Sequence, residues 1–294
     1  MNTAVSAISR FVDRRQAFFF PAPAVAVLFL IIVLPIAFNL YLTFTKWTVG
    51  LGQPQFIGFD NFVEAFGDER VWNGVRVMVY FSGASLALEL ALGLAIALYF
   101  NRAFRGSEAV QAIYIIPFAA TPVAVALIWR IMLNPEIGVI NYLLTSIGLP
   151  PGLWVSSEHM VVPTLVMVDV WKWTPMITLI VLAGLKSLPQ DPYEAARIDG
   201  ASALQIFWYI TLPLIRPAIV IVVIMRMMVA LSAFAAIFAA TGGGPGTATE
   251  ILNLYAYRSS FTELNFGYGA AQAMVLLAIT LLVSLLMYRL RKSR

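Results

Sequence analysis

Four ionisable residues, Glu89, Asp169, Lys172 and Arg226, lie inside long apolar runs, and two indoles, Trp171 and Trp173, flank the lysine. A charge of the Asp, Lys or Arg type held at the centre of a bilayer costs about 2.5–3.5 kcal/mol, so such residues must face protein or water. Two chemistries suit the set. Hydroxyls of a polar solute can bond to the charged groups while its C–H face lies on an indole ring. Equally, two acids and two bases can pair with one another and staple helices together without meeting a solute. The residues alone leave both readings open.

A second arrangement is polar and compact: "DPYEAARIDGAS", Asp191 to Ser202. Asp191 suits an N-cap, Pro192 the first helical position, and Glu194, three after the cap, can reach back to the cap N–H. Gly200 then ends the turn as a C′ residue. Ser202 caps a second helix with Gln205 completing its box, and Pro213 and Pro217 should stop it. The first helix has roughly 8 residues and a length of about 12 Å. Ala195 and Ala196 let another backbone approach, and Glu194 and Asp199 offer charge to a cationic partner. Such a helix is a docking peg; the alternative is a loop that folds locally only to satisfy its own backbone.

The elements that must hold these groups follow from composition. The chain has 294 residues, 61% hydrophobic and 12% charged, which places it in the membrane class. Spanning the hydrocarbon core takes roughly 20 apolar residues. Six stretches qualify: Phe18–Phe44, Val77–Phe100, Ala109–Leu133, Val161–Leu185, Pro217–Ala240 and Gly269–Leu290. The first is too long for a signal-peptide core and lacks a small-residue cleavage site, so it reads as a retained span. Backbone groups in lipid must pair within their own segment, hence an all-α polytopic membrane protein of six transmembrane helices. Its expected organisation is an N-terminal segment 1–17, a first span with its outer loop over 18–76, a five-span core over 77–290 that contains the polar loop 190–217, and a basic tail 291–294.

Lysine and arginine set the orientation. Arg10, Arg14 and Arg15 precede the first span, Arg102 and Arg105 follow the second, Lys186, Arg197 and Arg216 follow the fourth, and Arg289, Arg291, Lys292 and Arg294 follow the sixth. The alternate loops carry only Lys46, Arg70, Arg76 and Arg258. The positive-inside rule then makes both termini and the 191–202 stretch cytoplasmic, with the basic tail anchored on membrane lipid. Trp47, Trp72 and Trp129 fall at the outer boundary. Net charge +4 therefore marks sidedness rather than nucleic acid. Counted from the span ends, Lys172 and Arg226 both lie roughly 14–17 Å deep. With Asp169, Trp171 and Trp173 they outline a small polar cavity with aromatic walls, of a kind that suits a sugar. Pro117 and Pro122 bend the third span.

Several function classes are excluded. There is no cysteine and only one histidine, His159, so thiolate and multi-histidine metal sites are absent. No H-E-x-x-H or G-x-S-x-G occurs, which removes the common intramembrane enzymes. No G-x-x-x-x-G-K-S/T occurs, so any nucleotide motor is a separate chain; "TGGGPGT" lacks the lysine and reads as a tight loop. An ion-driven carrier remains as the alternative, without a visible inverted repeat.

The segment "EAARIDGASALQIFWYITLPLIRP", Glu194 to Pro217, resembles the EAA signature of permease subunits of bacterial ATP-binding-cassette importers. The likeness extends through "NRAFRG" (Asn101–Gly106), "WRIMLNPEIGVIN" (Trp129–Asn141), "VWKWTP" (Val170–Pro175) and "TGGGPGTATE" (Thr241–Glu250), which are similar to the carbohydrate-uptake branch and to the first of its two paired permeases. The sequence departs from many sugar permeases by carrying Val229 and Ala235 where those have aspartates, which leaves the same importer type handling a polyol or an anionic sugar derivative as a further alternative. The resemblance implies an inner-membrane, non-enzymatic subunit working with a second homologous permease, two copies of a cytoplasmic ATPase that bind ATP and Mg, and an extracytoplasmic substrate-binding protein. It implies that Glu194, Ala195, Ala196, Asp199 and Gly200 couple to the ATPase, and that Asp169, Lys172, Trp173 and Arg226 line the substrate path. Trp171 and Glu89 join that path as neighbours.

Overall fold

The computed structural model describes residues 20–102 and 104–292. Arg10, Arg14 and Arg15, with the rest of the segment 1–17, lie outside the described residues, as do Phe18, Phe19 and Arg294. In chain order the elements are α1 (Ala22–Thr43), β1 (Thr45–Lys46), β2 (Gln55–Phe56), α2 (Asp60–Gly67), α3 (Glu69–Phe100), α4 (Ser107–Tyr114), α5 (Ile116–Ala119), α6 (Pro122–Met132), α7 (Val139–Ser146), α8 (Val161–Lys186), α9 (Asp191–Ile198), α10 (Ala203–Ile206), α11 (Leu212–Leu231), α12 (Phe234–Thr241), α13 (Leu252–Tyr257) and α14 (Phe266–Lys292). The described fold is all-α except for the β1–β2 hairpin, which pairs Thr45 with Phe56 and Lys46 with Gln55. Five helical stretches are long and apolar enough to cross a membrane: α1, α3, α8, Ala203–Leu231 and α14. The pair Ser107–Ala119 and Pro122–Met132 is bent by 93° at its break and makes a sixth if the two helices count as one span.

Two boundaries differ from the sequence expectation for clear reasons. The second span starts at Glu69, well before Val77, because Asp68 caps it: its Oδ1 accepts from Arg70 N–H at 2.8 Å. Polar residues in the first two turns hide that start. The fifth span begins at Ala203 and ends at Leu231, whereas Pro217–Ala240 is the expected range. Pro213 and Pro217 do not stop the helix, because a π turn over Phe207–Thr211 carries it into α11 with Pro213 in its first turn. The chain then breaks at Ser232–Ala233 before α12.

The chain divides into two compact units. Among the described residues the first comprises 20–67 and 258–274. In it the Asn61 amide bridges the carbonyls of Thr43 and Thr45, both at 2.9 Å. Gly267 packs so tightly on Thr45 that a Cβ would lie 2.0 Å from its carbonyl oxygen.

The second unit, residues 68–257 and 275–294, is built on α3 packed along α8, with α11 lying on both. Gly93 permits this: a Cβ there would meet Ile177 Cγ2 at 2.7 Å. Two apolar clusters form along the same three helices. One gathers Met78, Phe81, Leu165, Val166 and Leu231; the other gathers Ala97, Phe100, Ile177, Val181 and Val222. Between the clusters, each helix contributes a charged residue.

A buried charge cluster and an exposed helical knob

Those charged residues are Glu89 on α3, Asp169 on α8 and Arg226 on α11. The Arg226 guanidinium donates from Nε and Nη2 to the two Glu89 oxygens at 2.7 and 2.8 Å, and Nη2 also donates to Asp169 Oδ2. Arg226 is 1% exposed and Glu89 is fully buried. A bidentate pair in an apolar interior is the strong form of a charged hydrogen bond, and it ties three spans at one level. The Trp173 ring lies against two cations, with Arg226 Cζ and Lys172 Nζ each 4.8 Å from its centroid.

Lys172 repairs a broken helix. Pro122 has no N–H to offer the carbonyl four residues back, which is Phe118, and it forces the preceding residue out of the helical region. Ala120 and Thr121 are accordingly extended, and α5 and α6 diverge there. The Lys172 ammonium takes up both stranded carbonyls, donating to Phe118 O at 3.2 Å and Ala120 O at 2.9 Å. Both anticipated prolines thus flank the bend, and the chain turns between them.

Of the six residues expected on a substrate path, Glu89, Asp169, Lys172, Trp173 and Arg226 come together and Trp171 does not. Its exposed ring packs edge-on against Trp129, with centroids 5.4 Å apart. Asp169 and Lys172 line a narrow cavity with Phe81, Trp129, Arg130 and Ile237. Its volume of ≈ 30 Å³ is far below the roughly 300–1,000 Å³ of ordinary ligand pockets. Phe118, Ala120 and Arg130 are participants that the sequence did not mark, since backbone carbonyls leave no trace in residue type.

The polar loop folds into a preformed knob. In α9, Asp191 is the first helical residue rather than the cap; the cap position is Gln190, without a side-chain bond. The expected box from Glu194 is absent because the helix starts one residue early: with Gln190 as cap, Glu194 stands four residues on rather than three, and its N–H makes the ordinary helical bond to Gln190 O at 3.1 Å. The C-terminus is as expected. Gly200, at φ +76°, follows the last turn, with Gly200 N–H on Arg197 O and Ala201 N–H on Ala196 O, the Schellman arrangement. Ser202 and Gln205 form the anticipated reciprocal box at 2.8 and 3.3 Å. Glu194, Ala195, Asp199 and Gly200 are exposed and Ala196 is half-buried. Ile198, which the sequence reading passed over, is 86% exposed at the tip. Its signal was a lone aliphatic between Arg197 and Asp199.

The remaining motifs are loop scaffolds. Asn134 Oδ1 accepts from the N–H groups of Glu136 and Ile137, and the Asn141 side chain holds Pro135 O and both backbone groups of Gly152. In "TGGGPGTATE", Gly242, Gly243 and Gly246 have φ of +61°, +98° and +56°, which side chains other than glycine resist. Thr249 Oγ1 closes the loop on Gly244 O at 2.9 Å. Arg70 at the start of α3 pairs with buried Glu250 at 2.5 and 2.9 Å.

The chain is similar to known proteins along most of its length. The profile of the family described as "binding-protein-dependent transport system inner membrane component" matches residues 89–294. The chain is 33% identical to the trehalose/maltose transport system permease protein of Thermococcus litoralis, over 100% of this chain and 99% of that one. It is 34% identical to the sulfoquinovosyl glycerol transport system permease protein of Agrobacterium fabrum, over 96% and 92%. A chain in the crystal structure of a bacterial alginate ABC transporter, in complex with a periplasmic protein bound to alginate pentasaccharide, superposes with a TM-score of 0.82 at 25% identity, covering 95% of this chain and 94% of that one. These relatives are transport components rather than enzymes, and they do not favour the ion-coupled carrier. The chain belongs to the binding-protein-dependent inner-membrane permeases of ATP-binding-cassette importers.

Proposed function

We propose that the chain moves a sugar or sugar derivative, delivered by an extracytoplasmic binding protein, through the inner membrane by alternating access. The observation that carries this is α9: a short helix, closed at its C-terminus by Gly200, whose Glu194, Ala195, Ile198, Asp199 and Gly200 stand exposed in the loop between two spans. Such a knob suits a cleft in a partner, and Glu194 and Asp199 suit a basic rim there. The relatives' names, which include trehalose/maltose and sulfoquinovosyl glycerol permeases, support the solute class. Among the described residues no group of three or more His, Asp or Glu is placed to hold a metal. In this reading ATP and Mg belong to two copies of a cytoplasmic ATPase, a second homologous permease completes the pathway, and both termini with α9 face the cytoplasm. Asp169, Lys172 and exposed Trp171 are the candidate solute contacts, while Glu89, Arg226 and Trp173 hold the helices behind them.

The test is reconstitution of both permeases, the ATPase and the binding protein in liposomes. Glu194→Lys should leave the assembly intact and reduce ATP-driven uptake at least tenfold while ATP hydrolysis persists. Unchanged uptake in that variant overturns the coupling role.

A further inference from the structure

A cleft of ≈ 780 Å³ opens between α9 and the ends of the second and fourth spans. Leu98, Leu185 and Phe207 are among its apolar lining residues, and Arg102, Arg197 and Tyr193 are among its polar ones. Both guanidinium groups are exposed, and neither has a carboxylate oxygen within 4.0 Å among the described residues. Arg102 stands two residues beyond α3, Leu185 is the penultimate residue of α8, and Phe207 opens the π turn. The cleft is therefore at the depth where hydrocarbon gives way to headgroups. Next to Phe207, Trp208 and Tyr209 are exposed, the ring types that favour that interface.

We propose that this cleft binds an anionic phospholipid of the inner leaflet, its phosphodiester held by Arg102 and Arg197 and its acyl chains lying on the apolar lining. The sidedness rests on the reading given under Proposed function. Guanidinium groups match phosphate oxygens in a planar fork, and clusters of arginine at a span end attract anionic lipid. A free phosphate would satisfy the arginines and gain nothing from Leu98, Leu185 and Phe207. Gln190, Tyr193 and Arg197 line the cleft, whereas Ala195 and Ile198 are exposed outside it and remain open to the ATPase. Bound lipid then clamps the knob to the span ends, so that a push on α9 reaches α3 and α8.

The experiment is equilibrium binding of a fluorescent phosphatidylglycerol to the assembled transporter in detergent. Arg102→Gln/Arg197→Gln should weaken binding at least fivefold, and Arg105→Gln, which lies outside the cleft, should leave it within twofold. If the double variant does not assemble, Arg102→Gln alone should weaken binding at least threefold. Inorganic phosphate at the lipid's concentration should not compete. Unchanged binding in the variants overturns the site, competition by phosphate reassigns it to a soluble anion, and binding only to permease freed of ATPase reassigns the arginines to ATPase carboxylates. Ile198→Ala, at the exposed tip outside the cleft, should bind the lipid normally even where it weakens coupling, so this test stands or falls separately from coupling.

Discussion

Arg226 has three hydrogen bonds to two carboxylates and a ring against its face, which leaves little of it for a passing solute. Breaking a buried pair by removing one member leaves a stranded charge and costs about 3–5 kcal/mol, whereas replacing all members by neutral groups of similar size can be nearly free. Arg226→Met should therefore lower the thermal stability of the purified complex severely. Glu89→Met/Asp169→Leu/Arg226→Met, which replaces every member by an apolar side chain, should restore most of the loss. Equal instability of the two variants would contradict the pairing. The charges were legible in the sequence because they interrupt apolar runs. Their pairing was not, since Glu89 and Arg226 lie 137 positions apart and residue type carries no partner.

Paired signals and a left-handed glycine were legible, whereas lone caps were not: Asp68 starts α3 unannounced, and Asp191 proves to be the first helical residue rather than the cap. Gly200 and the Ser202–Gln205 box could be placed from residue type alone, because each has one physical use at that position. The passage of α11 through two prolines could not, since it depends on a π turn that no residue type demands. The broken third span falls between these cases: Pro117 and Pro122 announce a bend, but its 93° angle and its repair by Lys172 appear only in three dimensions. Lys172→Met should cost about 1–3 kcal/mol for buried carbonyls left without a donor. In a Pro122→Ala background the added N–H can serve Phe118 O, so the same substitution should cost less. A thermal-unfolding cycle on the four proteins measures the difference, and strict additivity would separate the lysine from the break.

On the scale of the whole second unit, alternating access demands that some helices move as a body while others part. The buried charge cluster joins α3, α8 and α11 at one level, and apolar clusters on both sides of it involve the same three helices. Relative sliding of α3 and α8 would strand Glu89 or Asp169 in an apolar environment, so these helices should travel together through the cycle. The chain has no native cysteine, which makes a covalent test clean. At Gly93 a Cβ would lie 3.2 Å from Ile177 Cβ, close to the roughly 3.5–4.5 Å that a disulfide spans, and Ile177→Cys removes the clashing methyl. Oxidised Gly93→Cys/Ile177→Cys should show a cross-link by loss of free thiol while ATP-driven uptake stays within about twofold of the reduced protein. Transport that stops on oxidation and returns on reduction would mean that α3 and α8 separate during the cycle, and the gate would then have to be placed between them.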